Sequence, residues 1–62
     1  MNIKSLREKA GLTQDELAKF LGVHQTTVGK WETAGIYPRG ELIHKIAAVL
    51  NCSIEDLYRK ED

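Results

Sequence analysis

Three side chains in the segment GVHQTTVGKWE, residues 22–32, carry groups that suit the edges of nucleic-acid bases. Gln25 can pair bidentately with adenine, Thr26 can meet a thymine methyl or a base edge, and Lys30 can reach guanine or phosphate. On a helical wheel at about 100° per residue, Val28 and Trp31 share one side. Thr26, Gly29, Lys30 and Thr33 share the other, with Gln25 on its shoulder. A solvated helix face is more usually built from Glu, Lys, Gln and Ala. This face is short, uncharged or positive, and rich in hydrogen-bonding groups, which is what a reader of the major groove needs. Thr, Val and Gly also rank below Ala in helix propensity, so the stretch is not optimised as a helix for its own sake.

Other chemistries find little footing. The two serines, Ser5 and Ser53, sit in no visible Ser/His/Asp arrangement, and no Gly-rich phosphate loop occurs. A domain of this size is too small to enclose a pocket of several hundred Å³, so no enzymatic activity, small-molecule ligand or cofactor is expected. His24 and His44 have no Cys or carboxylate cluster at ligand spacing, so no metal is expected. The single Cys52 excludes an internal disulfide and fits a reducing, cytoplasmic setting. A free cysteine behaves as a small hydrophobe, which makes Cys52 a half-buried packing residue.

The elements that must position these side chains are helices. No stretch alternates apolar and polar residues between turn clusters, as a strand would. Ile3, Leu6 and Ala10 follow helical spacing, and Gly11 is a natural stop. Thr13-Gln14-Asp15-Glu16 reads as a capping box, and its acids favour the first turn of a second helix. Leu17, Ala18 and Leu21 form that helix's inward stripe, and Gly22 closes it. A third helix follows at once, roughly from His24 to Thr33. So short a link forces the two to cross steeply, as in a helix-turn-helix. Residues 34–38, AGIYP, form a loop in which Pro38 pushes Tyr37 towards an extended conformation. Leu42, Ile43, Ile46, Ala47 and Leu50 give a fourth helix, and Ser53-Ile54-Glu55-Asp56 caps a short fifth one that includes Leu57. The expected fold is all-α: one compact five-helix domain over residues 1–62, with a helix-turn-helix made by helices 2 and 3.

Charge is balanced, with nine basic and nine acidic residues and a formal net charge of +0. That weakens a simple expectation of nucleic-acid binding, which usually shows as a basic excess. Residues 1–31 nevertheless carry +2 and residues 32–62 carry −2. The 42% hydrophobic content is ordinary for a globular domain. Chains this short bury only about 60% of their unfolded surface, which leaves a marginal core. No apolar run approaches the ~18 residues of a membrane span, and no signal peptide is visible.

The segment LREKAGLTQDELAKFLGVHQTTVGKWE, followed by Pro38 and ELIHKIAAVLNCSIEDLY, resembles the Cro/phage-repressor-type, or XRE-type, helix-turn-helix family. The likeness runs from about Ile3 to Tyr58. It implies a lambda-repressor-like DNA-binding fold whose third helix enters the major groove, usually as a dimer on a two-fold-related operator. It further implies a DNA-binding set of Gln14, Gln25, Thr26, Thr27, Lys30 and Arg39. In that set Gln25, Thr26 and Lys30 face base edges, and Thr27 reaches phosphate at the groove wall. Gln14 bonds phosphate and supports a base-reading residue, and Arg39 touches the backbone beside the fourth helix. Arg7 and Glu32 match positions that form a largely buried ion pair. Three departures stand out: His24 where a small hydroxyl cap is usual, Gly29 where serine is common, and Ala34-Gly35 where the glycine usually comes one residue earlier.

The resemblance points to a cytoplasmic, sequence-specific regulator of bacterial or prophage transcription, binding a double-stranded operator. A single copy would make few phosphate contacts, so a homodimer on half-sites about 10 bp apart is expected. Ile54, Tyr58 and Tyr37 are the candidate dimer residues. The rival reading keeps the fold as an antitoxin-like or adaptor module for protein partners, and the zero net charge is its best support.

Overall fold

The computed structural model describes residues 1–59; the last three residues of the expected domain, 60–62, lie outside the described residues. Five helices follow one another: α1 (Ile3–Lys9), α2 (Gln14–Leu21), α3 (Gln25–Thr33), α4 (Gly40–Val49) and α5 (Ile54–Tyr58). No strand occurs among the described residues. This is the all-α arrangement that the periodicity predicts.

Each helix stops where its chemistry says it should. After α1, Gly11 takes the left-handed region with φ +75°, and Leu12 N–H bonds back to the Arg7 carbonyl at 3.1 Å. The capping box of α2 is complete: Glu16 N–H donates to Thr13 Oγ1 at 3.1 Å, and Thr13 N–H donates to Glu16 Oε1 at 2.9 Å. Gly22, at φ +72°, turns the chain out of α2, and only Val23 and His24 separate it from α3. His24 has the extended backbone of a cap but makes no side-chain cap bond. Serine and aspartate close the same device on α5, through Ser53 and Asp56.

With the glycine one residue later than usual, the end of α3 stays hydrogen-bonded. Ala34 has a φ of −100°, and its N–H bonds the Lys30 carbonyl at 2.9 Å. Gly35 then supplies the left-handed residue. After α4 the same role falls to Asn51 at φ +54°, which the sequence pattern does not single out although asparagine tolerates that region.

Packing fixes where the site can be. α2 packs on α3 and α4, α5 lies against α4, and α1 contacts α3. Leu17 and Ala18 of α2, Val28 and Trp31 of α3, and Ile43 and Ile46 of α4 meet in the core. Ile3 and Leu57, both fully buried, bring the start and end of the fold into it, and Asn2 N–H donates to the Leu57 carbonyl at 2.8 Å. Trp31 is therefore a core residue, as its phase with Val28 implies. Cys52 is half-buried and packs against the core. Burial, and then the charge of Asp56, push its thiol pKa up, which keeps it out of the thiolate form that nucleophilic chemistry needs.

Candidate nucleic-acid interface

With Val28 and Trp31 anchored in the core, the opposite face of α3 has no choice but to look outward. Gln25, Thr26, Lys30 and Thr33 are all exposed. Together with Gln14 and Gly29 they line one shallow open depression. Four of the six expected site residues, Gln14, Gln25, Thr26 and Lys30, thus come together from two helices. The other two, Thr27 and Arg39, line a neighbouring depression with Gly22, Tyr37 and Pro38. Thr27 is half-buried there, while Arg39 is exposed at the N-cap of α4.

The position of Arg39 is electrostatically odd for a folded chain by itself. A cation at a helix N-terminus meets the positive end of the dipole, and Arg39 gives α4 no side-chain cap. A phosphate placed there would satisfy both the guanidinium and the open N–H groups.

Behind the depression runs a chain of polar contacts. Gln25 Nε2 lies 3.5 Å from Gln14 Oε1, and Gln14 Nε2 donates to Glu32 Oε1 at 2.9 Å. Glu32 is bound in turn by Arg7, whose Nε donates to Oε2 at 2.8 Å and whose Nη2 reaches Oε1 at 3.3 Å. Arg7 Nη1 closes the series on the Leu12 carbonyl at 2.7 Å. The Arg7 and Glu32 side chains are only 10% and 1% exposed. The bond to Glu32 raises the arginine pKa against the opposing effect of burial. The ion pair implied by the resemblance is therefore present and buried. The bond from Gln14 to Glu32 has no signal in the sequence, where Gln14 reads as a phosphate contact and Glu32 as a partner of Arg7 alone.

Gly29 has a partial explanation. A Cβ at this position would stand 3.9 Å from Gln14 Nε2 and 4.0 Å from Oε1, in ordinary contact. The Gln14 amide thus lies over the α3 backbone at Gly29, but the space would also admit alanine. Thr33 Oγ1 donates back to the Gly29 carbonyl at 2.8 Å, so that hydroxyl is engaged within the helix.

The sequence that builds the capped α2, the three-residue turn and the outward polar α3 is similar to known proteins along nearly its full length. The helix-turn-helix family pattern fits residues 3–57. An uncharacterized HTH-type transcriptional regulator of Archaeoglobus fulgidus is 43% identical over 60 residues, covering 97% of this chain and 86% of that protein. The uncharacterized HTH-type transcriptional regulator MJ0272 of Methanocaldococcus jannaschii is 38% identical over 97% of the chain and 91% of its own length. The chain belongs to the Cro/phage-repressor-type helix-turn-helix family of DNA-binding transcriptional regulators. A third helix-turn-helix relative, the transcriptional activator BcrR of Enterococcus faecalis, is 33% identical over 97% of this chain but only 29% of its own length. Helix-turn-helix relatives thus come from archaea as well as bacteria, and membership does not assign a bacterial or prophage source.

The family is typically non-enzymatic. No helix among the described residues is long and apolar enough to cross a membrane. Of the three candidate dimer residues, Tyr37 and Tyr58 are exposed, with ring centroids 6.2 Å apart. Ile54 is instead half-buried against the core, where its place in the first turn of α5 sets it beside Leu57. Ile36, 50% exposed, adds an apolar side chain that the sequence pattern does not mark.

Proposed function

We propose that this protein recognises a specific double-stranded DNA operator in the cytoplasm, as a single domain acting in pairs. α3 lies in the major groove, with Gln25, Thr26 and Lys30 toward base edges. Gln14, Thr27 and Arg39 hold the phosphate backbone to either side and set the register. The observation that carries this reading is the exposed polar face of α3, joined by Gln14 into one depression. Among the described residues the Gln14 amide is the group that comes over that face at Gly29, and Gln25, Thr26, Lys30 and Thr33 stay exposed, as a surface kept for an outside partner would.

Selection of bound sequences from a random duplex pool tests the reading directly. A defined half-site, repeated with two-fold symmetry, is expected. Lys30→Ala and Gln25→Ala should each change the selected sequence, and affinity should fall as salt rises. If both variants keep wild-type affinity and preference, the groove assignment is wrong. A wild-type protein that selects no sequence at all would favour the adaptor reading, which the zero net charge supports.

A further inference from the structure

The polar chain behind the depression has a direction, and the direction has a consequence for base choice. A carboxylate can only accept hydrogen bonds, whereas a glutamine amide has one end that donates and one that accepts. Glu32, held by Arg7, therefore admits only the Nε2 end of Gln14, at 2.9 Å. The Oε1 end of Gln14 is left pointing at Gln25, whose Nε2 stands 3.5 Å away. Where Gln25 closes this contact on docking, it donates one of its two N–H hydrogens to Gln14. It keeps one N–H and its carbonyl oxygen for the groove.

We infer that the buried Arg7–Glu32 ion pair is a specificity determinant, fixing the polarity of the Gln14 amide and so restricting Gln25 to adenine. Adenine presents one acceptor, N7, and one donor, N6–H, in the major groove; guanine presents two acceptors, N7 and O6. A glutamine with one free N–H and one free oxygen matches adenine and leaves one guanine acceptor unserved. Were Gln14 turned round, Gln25 would accept from it, and both N–H hydrogens would be free for guanine. Glu32 is 1% exposed at its side chain and cannot touch DNA itself. It is a positioning residue that acts through two amides. The inference rests on the proposed groove docking of α3.

The test compares sequences selected from a random duplex pool by the wild-type protein and by three variants. Gln25→Ala identifies which base position this side chain reads. Glu32→Gln replaces the acceptor-only group with an amide that can face Gln14 either way round. Gln14→Leu breaks the relay at a half-buried position and leaves the ion pair intact, so it decides the matter should Glu32→Gln fail to fold. The wild type is expected to select adenine at the Gln25 position by roughly ten-fold or more over guanine. Glu32→Gln and Gln14→Leu should bring that ratio close to one while the preferences read by Lys30 and Thr26 persist. A merely structural role would weaken binding evenly and leave the ratio where it was. Full adenine preference in folded Glu32→Gln or in Gln14→Leu overturns the inference, as does a wild-type preference for any other base at that position. If the wild type selects nothing, it is the proposed function that fails, and this inference falls with it.

Discussion

Arg7 is the residue on which the most depends for its size. Its guanidinium serves Glu32 twice and the Leu12 carbonyl once, in surroundings that leave the partner carboxylate 1% exposed. Removing one member of such a pair strands a buried charge, at a cost of about 3–5 kcal/mol, whereas replacing both with apolar groups is often neutral. A chain of this length has only about 3–9 kcal/mol of total stability at typical per-residue values. Arg7→Ala is therefore expected to lower the urea midpoint by half or more. Arg7→Met combined with Glu32→Leu should recover most of that loss. Equal midpoints for the single and double variants would mean that the stranded charge is not what costs stability. Gly29 offers the opposite case, because a Cβ there meets nothing closer than 3.9 Å. Gly29→Ala should stabilise the protein by about 0.5–1 kcal/mol, seen as a higher midpoint at unchanged slope. The outward side chains of α3 are legible from phase alone, since two core residues fix the whole helix. The bond from Gln14 to Glu32 is not, because it joins residues 18 apart that meet only after α2 and α3 have packed.

Helix ends decide how firmly the recognition pair is held. Thr13 caps α2 immediately before Gln14, so Thr13→Ala should cost about 1 kcal/mol and fray the turn that carries Gln14. His24 leaves α3 without a side-chain cap, and His24→Ser should gain up to about 1 kcal/mol; thermal midpoints of the two variants should move in opposite directions. On α5 the cap is titratable. The bonds from Ser53, its backbone N–H foremost, hold the Asp56 carboxyl below the usual carboxylate range, with Arg59 adding to the effect. A depressed acid contributes stability that is complete above its unfolded pKa of about 3.9 and is lost as pH falls through its folded one. The protection of α5 amides, taken as exchange relative to an unstructured peptide at the same pH, should thus fall only in acid below about pH 3.9, and Asp56→Asn should abolish that dependence. Protection lost already near neutrality would contradict it. Local signals explain why all five helices can be read from the sequence: Thr13, Gly11, Gly22 and Ser53 mark helix ends, and the apolar stripe from Leu42 to Leu50 marks the uncapped α4. The left-handed Asn51 cannot, because asparagine marks that conformation less firmly than glycine, and only the way α4 hands the chain to α5 requires it.

For the whole molecule the open matter is how a chain of zero net charge holds a polyanion. The sequence halves differ in charge, but among the described residues Lys30 and Arg39 are the cations lining the two depressions, and the acid Glu41 lines the second as well. Each neutralised phosphate contributes about −0.9 to the slope of log affinity against log salt on duplex DNA. One copy whose two cations both displace counterions, Arg39 at the backbone and Lys30 from within the groove, should give a slope of about −1.8, and a pair on a two-fold site about −3.6. Pairing is the natural remedy for so shallow an electrostatic hold, and the exposed Ile36, Tyr37 and Tyr58 offer an apolar surface for it. Tyr37 also lines the depression beside Arg39, so it cannot separate pairing from DNA contact. Tyr58, on α5, lines neither depression but stands 6.2 Å from the Tyr37 ring, so the salt slope and not the affinity alone must decide. Fluorescence anisotropy with a selected site, across a salt series, should give the steeper slope for the wild type and about half of it for Tyr58→Ser. Loss of affinity in Tyr58→Ser with the steep slope retained would place the contact between copies elsewhere. A wild-type slope near about −1.8 at full occupancy would mean that one copy binds alone, with base contacts carrying the affinity that the charges do not.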